Sequence, residues 1–140
     1  MRPLADGTDR PLAARHDIAL LDLDGVLYVG PDAVPGAPRA VTAVRDAGMR
    51  VAYVTNNAAR TPETVAAHLR ELGIPAGPDD VVTSAQAVAT LVADAVPAGS
   101  AVLVVGGDGL EAALRARGLR PVASAGDRPA AVVQGFSPDV

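Results

Sequence analysis

Two carboxylates separated by a single residue and followed at once by a glycine, in Asp22-Leu23-Asp24-Gly25-Val26-Leu27-Tyr28, are the residues of this chain best suited to chemistry. A carboxylate held where a strand ends can act as a nucleophile. A second one two positions on can donate a proton and then serve as the base that activates water. Two acids so close repel each other, which favours a divalent cation with oxygen ligands. Gly25 lets the backbone turn sharply and bring its N–H groups near a phosphate. The same residues also end a strand and begin a turn well, and taken alone they leave both readings open. A second polar set, Val54-Thr55-Asn56-Asn57, offers a hydroxyl and amides that can donate hydrogen bonds to phosphate oxygens. Its alternative is an Asx-type turn leading into the next helix.

The elements around these sets place them at one edge of a sheet. Residues 18–23 form an apolar run ending in acids, which suits a strand buried on both faces of a parallel sheet. Residues 25–38 are too rich in Gly and Pro for a regular element, and residues 39–47 carry apolar side chains at helical spacing up to a stop at Gly48. Residues 50–54 read as a second strand. Thr61, Pro62 and Glu63 then start a helix with an N-cap, a first-turn proline and an acid favoured by the dipole, and Val65, Ala66, Leu69 and Leu72 form its buried stripe before Gly73. Val81 and Val82 suggest a short strand, and Ser84 a cap for a helix carrying Val88, Leu91 and Val92. Strand and helix alternate, so the strands should run parallel, and ligands bind beyond their carboxyl ends. A Pro/Gly stretch at residues 96–100 interrupts the pattern. Residues 101–105, 110–117 and 130–133 then begin a new unit, with a boundary near Pro97.

Composition narrows the function classes. With 140 residues and 49% hydrophobic content, the chain has room for one ordinary domain with a sizeable core. Net charge is −4, no basic block occurs, and Tyr28, Tyr53 and Phe136 are the sole aromatics, which offers nucleic acid neither a phosphate-tracking groove nor a stacking platform. Cysteine is absent, removing disulfides, thiolate metal sites and cysteine nucleophiles. Residues 1–15 read as a polar tail without the apolar core of a signal peptide, and no run reaches membrane-spanning length, so a cytoplasmic location is expected. All twelve basic residues are arginine; there is no lysine. His16 and His68 have no ligand partner at metal-site spacing and read as structural or surface residues. Asp79-Asp80 reads as a solvated loop. Arg60 either enters the helix at residue 62 or reaches an anionic substrate.

Taken together, Asp22-Leu23-Asp24-Gly25-Val26-Leu27-Tyr28 and Val54-Thr55-Asn56-Asn57 resemble the first and second signatures of haloacid dehalogenase superfamily phosphatases. Val82-Thr83-Ser84-Ala85 and Val105-Gly106-Gly107-Asp108-Gly109-Leu110 extend the likeness, in the order seen in the branch of p-nitrophenyl phosphatase, phosphoglycolate phosphatase and pyridoxal phosphate phosphatase. The resemblance implies an α/β fold: the N-terminal half of a Rossmann-like core with flanking helices over residues 16–97, then the beginning of an α/β cap over residues 98–140. It implies a phosphatase of small phosphomonoesters in which Asp22 forms an aspartyl-phosphate and Asp24 is the general acid and base. Mg²⁺ would be held by the Asp22 carboxylate and the Asp24 main-chain carbonyl, and Thr55, Asn56 and Gly25 would hold the phosphoryl group. Asn57 would support the loop or orient a catalytic acid. The partner would be a small phosphorylated metabolite, with a homodimer through the cap in the whole protein. Asp24 favours phosphoryl transfer over carbon–halogen cleavage, because the dehalogenase members lack that acid.

The departures from the family pattern carry their own expectation. Its third motif supplies a lysine and its fourth supplies paired acids that complete the metal site, and neither stands at its expected place. Asp108 is read as a cap loop residue rather than a fourth-motif acid, since Glu111 follows at the wrong spacing. Residues 134–140 follow a strand with no closing helix, so the chain is expected to stop inside the cap. Such a piece would be weak or inactive by itself, with one sheet edge unpaired and apolar faces uncovered. The alternative reading is a non-catalytic phosphate-binding or receiver-like module that keeps half of the site.

Overall fold

The structure, a computed structural model, describes residues 9–136; the expected tail at residues 1–8 and the chain end at residues 137–140 lie outside the described residues. The apolar run after Asp17 forms strand β1 (Ile18–Asp22). The Gly/Pro-rich stretch that follows holds a small antiparallel hairpin, β2 (Tyr28–Val29) and β3 (Asp32–Ala33), in place of the irregular segment expected there. Helix α1 (Ala37–Asp46) starts two residues earlier than the apolar spacing suggests, because Pro38 fits the first turn of a helix. It stops at Gly48, which turns back with φ +84° and donates its N–H to Arg45.

Strand β4 (Arg50–Thr55) pairs parallel with β1, Ile18 opposite Arg50 and Asp22 opposite Val54. Helix α2 (Pro62–Glu71) begins as the sequence requires, the Thr61 hydroxyl accepting the Thr64 N–H at 3.3 Å. Strand β5 (Val81–Thr83) extends the first sheet to the order β1-β4-β5. Helix α3 (Ser84–Ala95) follows directly. A second parallel sheet comprises β6 (Ala101–Val105), β7 (Arg120–Val122) and β8 (Ala131–Gln134) in the order β7-β6-β8, with helix α4 (Asp108–Ala116) between β6 and β7.

Each sheet has its own core. Leu23, Tyr53, Leu69 and Ile74 are wholly buried in the first, and Ala89, Val102 and Leu114 in the second. Helix α3 falls within the residues the sequence assigns to the first unit, yet its Ala85 and Ala89 are buried in the second core.

Other sequence expectations require correction. Strand β1 is not buried on both faces: Leu20 is 68% exposed, and Ile18, Val54 and Val82 are exposed with it. Among the described residues β1 pairs on one side alone, with β4. Leu91 lies on the outer side of α3 at 68% exposure, because the small side chains of Ala85 and Ala89 take the buried side. The cap of α3 is Thr83 and not Ser84. Its hydroxyl accepts the Gln86 N–H at 3.2 Å while the Gln86 side chain accepts the Thr83 N–H at 2.9 Å, a reciprocal box. Asp80 is not a solvated loop acid; it accepts from Arg45 at 2.8 Å and from the Gly77 N–H at 2.8 Å.

Burial raises the Asp80 carboxyl, but the Gly77 N–H and the Arg45 guanidinium outweigh it and hold the group below its ordinary value. A value lower in the folded than in the unfolded chain stabilises fully above about pH 4, and that contribution disappears as the pH falls through the folded value. Asp80→Asn keeps an acceptor for Gly77 and removes the charge. It should cost about 0.5–1 kcal/mol at pH 7, since the pair is partly solvated. Urea midpoints of the two proteins should converge as the pH falls through the folded value of Asp80; a gap that persists unchanged into acid would show that the ion pair does not stabilise the fold.

Candidate active site

Because β1, β4 and β5 run parallel in register, with Thr55 opposite Thr83, their carboxyl ends open on one edge of the sheet. Asp22 closes β1 there and is exposed. The chain then turns tightly: the Leu23 carbonyl accepts N–H groups from Val26, Leu27 and Tyr28, and Gly25 sits at φ +80°. This turn leaves Asp24 exposed beside the hairpin. The Gly25 N–H, expected to face a phosphate, is instead taken by the Tyr28 carbonyl at 2.8 Å, so Gly25 serves in this geometry as the positive-φ residue of the turn.

On the neighbouring strand Thr55 is 4% exposed, and its hydroxyl oxygen accepts the Asn57 N–H at 3.1 Å, which leaves the hydroxyl proton free to point outward. Asn57 Oδ1 accepts the Ala59 N–H at 2.8 Å, so the expected loop-supporting role of Asn57 and the Asx-type turn are one arrangement. The Asn56 carbonyl accepts the Ser84 hydroxyl at 2.8 Å, which fixes the loop to the start of α3 while the Asn56 side chain stays exposed.

A cavity of about 410 Å³ adjoins this edge, lined in part by Asp24, Asn57, Tyr28, Arg60 and His68. The Tyr28 ring meets the His68 ring edge-on, centroids 5.0 Å apart. Burial, and next the Asp24 carboxylate, push the Tyr28 phenol above its ordinary value against the opposing pull of Arg60, which keeps it a neutral donor. His68, read from sequence as a structural or surface residue, thus belongs to the wall of the site. A concavity of about 450 Å³ surrounds Arg45, Arg50, Asp79 and Asp80 at the opposite ends of the strands, and it contains neither sequence-defined set.

The Asp22 carboxylate and the Asp24 carbonyl are hard oxygen donors of the kind that could hold Mg²⁺. Among the described residues no group of three or more His, Asp or Glu side chains gathers to hold a metal. Also among them, no helix is long and apolar enough to cross a membrane.

Fold and site together define an α/β protein with paired acids at the carboxyl edge of a parallel sheet. Residues 19–120 match the haloacid dehalogenase-like hydrolase family, and the chain belongs to it. It is 47% identical over 128 residues to D-glycerol 3-phosphate phosphatase of Mycobacterium tuberculosis, covering 91% of this chain and 35% of that protein. It is 44% identical over 100 residues to acid sugar phosphatase of Staphylococcus aureus, covering 71% and 38%. The crystal structure of glycerol phosphate phosphatase from Mycobacterium tuberculosis in complex with magnesium superposes with a TM-score of 0.85 at 48% identity, over 90% of this chain and 38% of that one. The chain thus spans somewhat over a third of the length of the curated relatives it matches.

Sequence reasoning missed the grip of the second unit on the loop after Asn57. The Gly109 N–H donates to the Ala59 carbonyl at 3.0 Å, and a Cβ on Gly109 would stand 2.5 Å from the Arg60 carbonyl oxygen and 2.7 Å from that of Ala58. Backbone atoms cannot yield as a side-chain tip can. Gly109→Ala should therefore destabilise the chain by about 1–3 kcal/mol through overpacking and shift the amide resonances of residues 57–60. An unchanged urea midpoint with an unmoved loop would show that the contact is slack.

Proposed function

We propose that this chain carries the nucleophile-bearing part of a Mg²⁺-dependent hydrolase of small phosphomonoesters. The observation that carries the reading is the register of β1 on β4, Asp22 opposite Val54, which ends both strands at one edge, with Asp24 just past the first strand and Thr55 and Asn56 at the end of the second. The family membership and the names of the relatives support it. Residues 16–97 form the N-terminal half of the core and residues 98–140 begin the cap, in keeping with two separate sheets.

In this reading an Asp22 carboxylate oxygen bonds to phosphorus as the ester P–O bond breaks, and Asp24 gives its proton to the departing alkoxide. Water then attacks phosphorus, Asp24 takes the proton back, and the Asp22 carboxylate is released with inorganic phosphate. Thr55 and Asn56 donate to the phosphoryl oxygens throughout. The Asp22 carboxylate and the Asp24 carbonyl would hold Mg²⁺, which would supply neutralisation of the phosphoryl charge. The 140-residue chain has no lysine to share that load, so it turns over weakly by itself. The setting is cytoplasmic, the partner a small phosphorylated metabolite such as glycerol phosphate or a sugar phosphate, and the whole protein pairs through its cap. A phosphate-binding module without turnover is the second reading, favoured by the lack of a gathered acid cluster among the described residues.

Beryllium fluoride mimics a phosphoryl group on a carboxylate and tests the site without turnover. With Mg²⁺ the chain should give a protein-bound ¹⁹F signal that disappears on Mg²⁺ removal and in Asp22→Asn, and p-nitrophenyl phosphate hydrolysis should fall below detection in that variant. An adduct without any hydrolysis would favour the binding module, and no adduct in the folded, Mg²⁺-loaded chain would overturn both readings.

A further inference from the structure

We propose that the cavity between the hairpin and α2 is a leaving-group subsite, in which Arg60 recognises oxygen atoms on the alcohol half of the ester, a hydroxyl or a carboxylate. The inference rests on the phosphatase reading and deepens it by naming the substrate class.

The argument begins from which catalytic groups face the cavity. A general acid must stand beside the oxygen that departs, so the alcohol half lies on the side of Asp24 away from the attacking carboxylate. Asp24 lines the cavity, whereas Asp22 and Thr55, which attack and hold the phosphoryl group, do not. At about 410 Å³ the space suits a small alcohol.

The wall chemistry then selects the alcohol. Arg60 is the one cation permanently charged at neutral pH among the lining residues, and among the described residues its side chain has no hydrogen-bonded or ion-paired partner. Arg60 is exposed, and its unpaired guanidinium offers planar donors to oxygen acceptors. His68 and Tyr28 add ring edges and polar atoms beside it.

Arg60 is also presented from a rigid base. Asn57 Oδ1 holds the Ala59 N–H, the Gly109 N–H holds the Ala59 carbonyl at 3.0 Å, and Thr61 caps α2 immediately afterwards. A fixed backbone on both sides lowers the ordering cost of a contact made by the side chain. The residue is a specificity determinant on a loop held by the first unit through Asn57 and by the second through Gly109.

The test is a binding measurement on the 140-residue chain with Mg²⁺, using inorganic phosphate, ethyl phosphate and sn-glycerol 3-phosphate, followed by NMR through the His68 imidazole signals. A ³¹P spectrum confirms that the esters stay intact. Glycerol 3-phosphate should bind about tenfold more tightly than ethyl phosphate, the size of one charge-assisted contact, and should shift His68. Arg60→Ala should abolish that preference while changing inorganic phosphate binding by less than about twofold, and Arg60→Lys should restore part of it. Equal weakening of all three ligands by Arg60→Ala would overturn the proposal and make Arg60 a phosphoryl contact. Equal affinity of the unaltered chain for both esters would overturn the subsite while leaving the phosphate site standing. Failure of inorganic phosphate itself to bind would overturn the phosphatase reading, and the subsite with it.

Discussion

Parallel pairing of β1 with β4 is the constraint on which the site depends. The ladder from Ile18 opposite Arg50 to Asp22 opposite Val54 makes both strands end at one edge. Polar loops from two distant parts of the sequence therefore meet there. A slip of one residue would turn Asp22 to the other face and bury the wrong side chains, since side chains alternate along a strand. The register is held by the core under it: Tyr53 lies wholly buried and donates its hydroxyl to the Pro75 carbonyl at 2.6 Å, tying β4 to the segment after α2.

Rigidity at the edge comes from one contact within the loop after Asn56 and two from other elements. The Asn56 carbonyl is held by Ser84, the Ala59 N–H by Asn57 and the Ala59 carbonyl by Gly109. The last bond joins the two units of the chain at the loop that bears Arg60. Glycine is required at position 109 because carbonyl oxygens of Ala58 and Arg60 fill the space a side chain would need. A polar loop fixed on three sides can present donors without reorganising when a charged ligand arrives, which is where electrostatic stabilisation gains its strength.

Charge at the edge is divided by position. Asp22 and Asp24 stand together at the strand end, and Arg60 faces the cavity that Asp24 lines. With no lysine in the chain, arginine carries every permanent positive charge, and its planar fork suits oxygen acceptors better than a point charge would. The exposed Ile18, Leu20, Val54 and Val82 form an apolar face on the first sheet, consistent with a chain that spans somewhat over a third of its curated relatives.

The sequence by itself determined the features set by near neighbours. These are the strand ending in Asp22, the Thr61-Pro62-Glu63 helix start, the glycine stops at Gly48 and Gly73, and the alternation that demands parallel strands. Each follows from backbone preference, capping or periodicity over a few residues, whereas Asp22, Asp24, Thr55 and Asn56 were singled out by their residue types at two strand ends together with the resemblance to the family's signatures. Only the tertiary structure decided which strand face is covered, that Thr83 rather than Ser84 caps α3, that the Gly25 N–H is already engaged, and that Asp80 pairs with Arg45. It alone brought His68 to Tyr28 and Gly109 to Ala59. Those outcomes depend on contacts between residues far apart in the chain, and no local pattern records which distant group will arrive to satisfy a donor or fill a space.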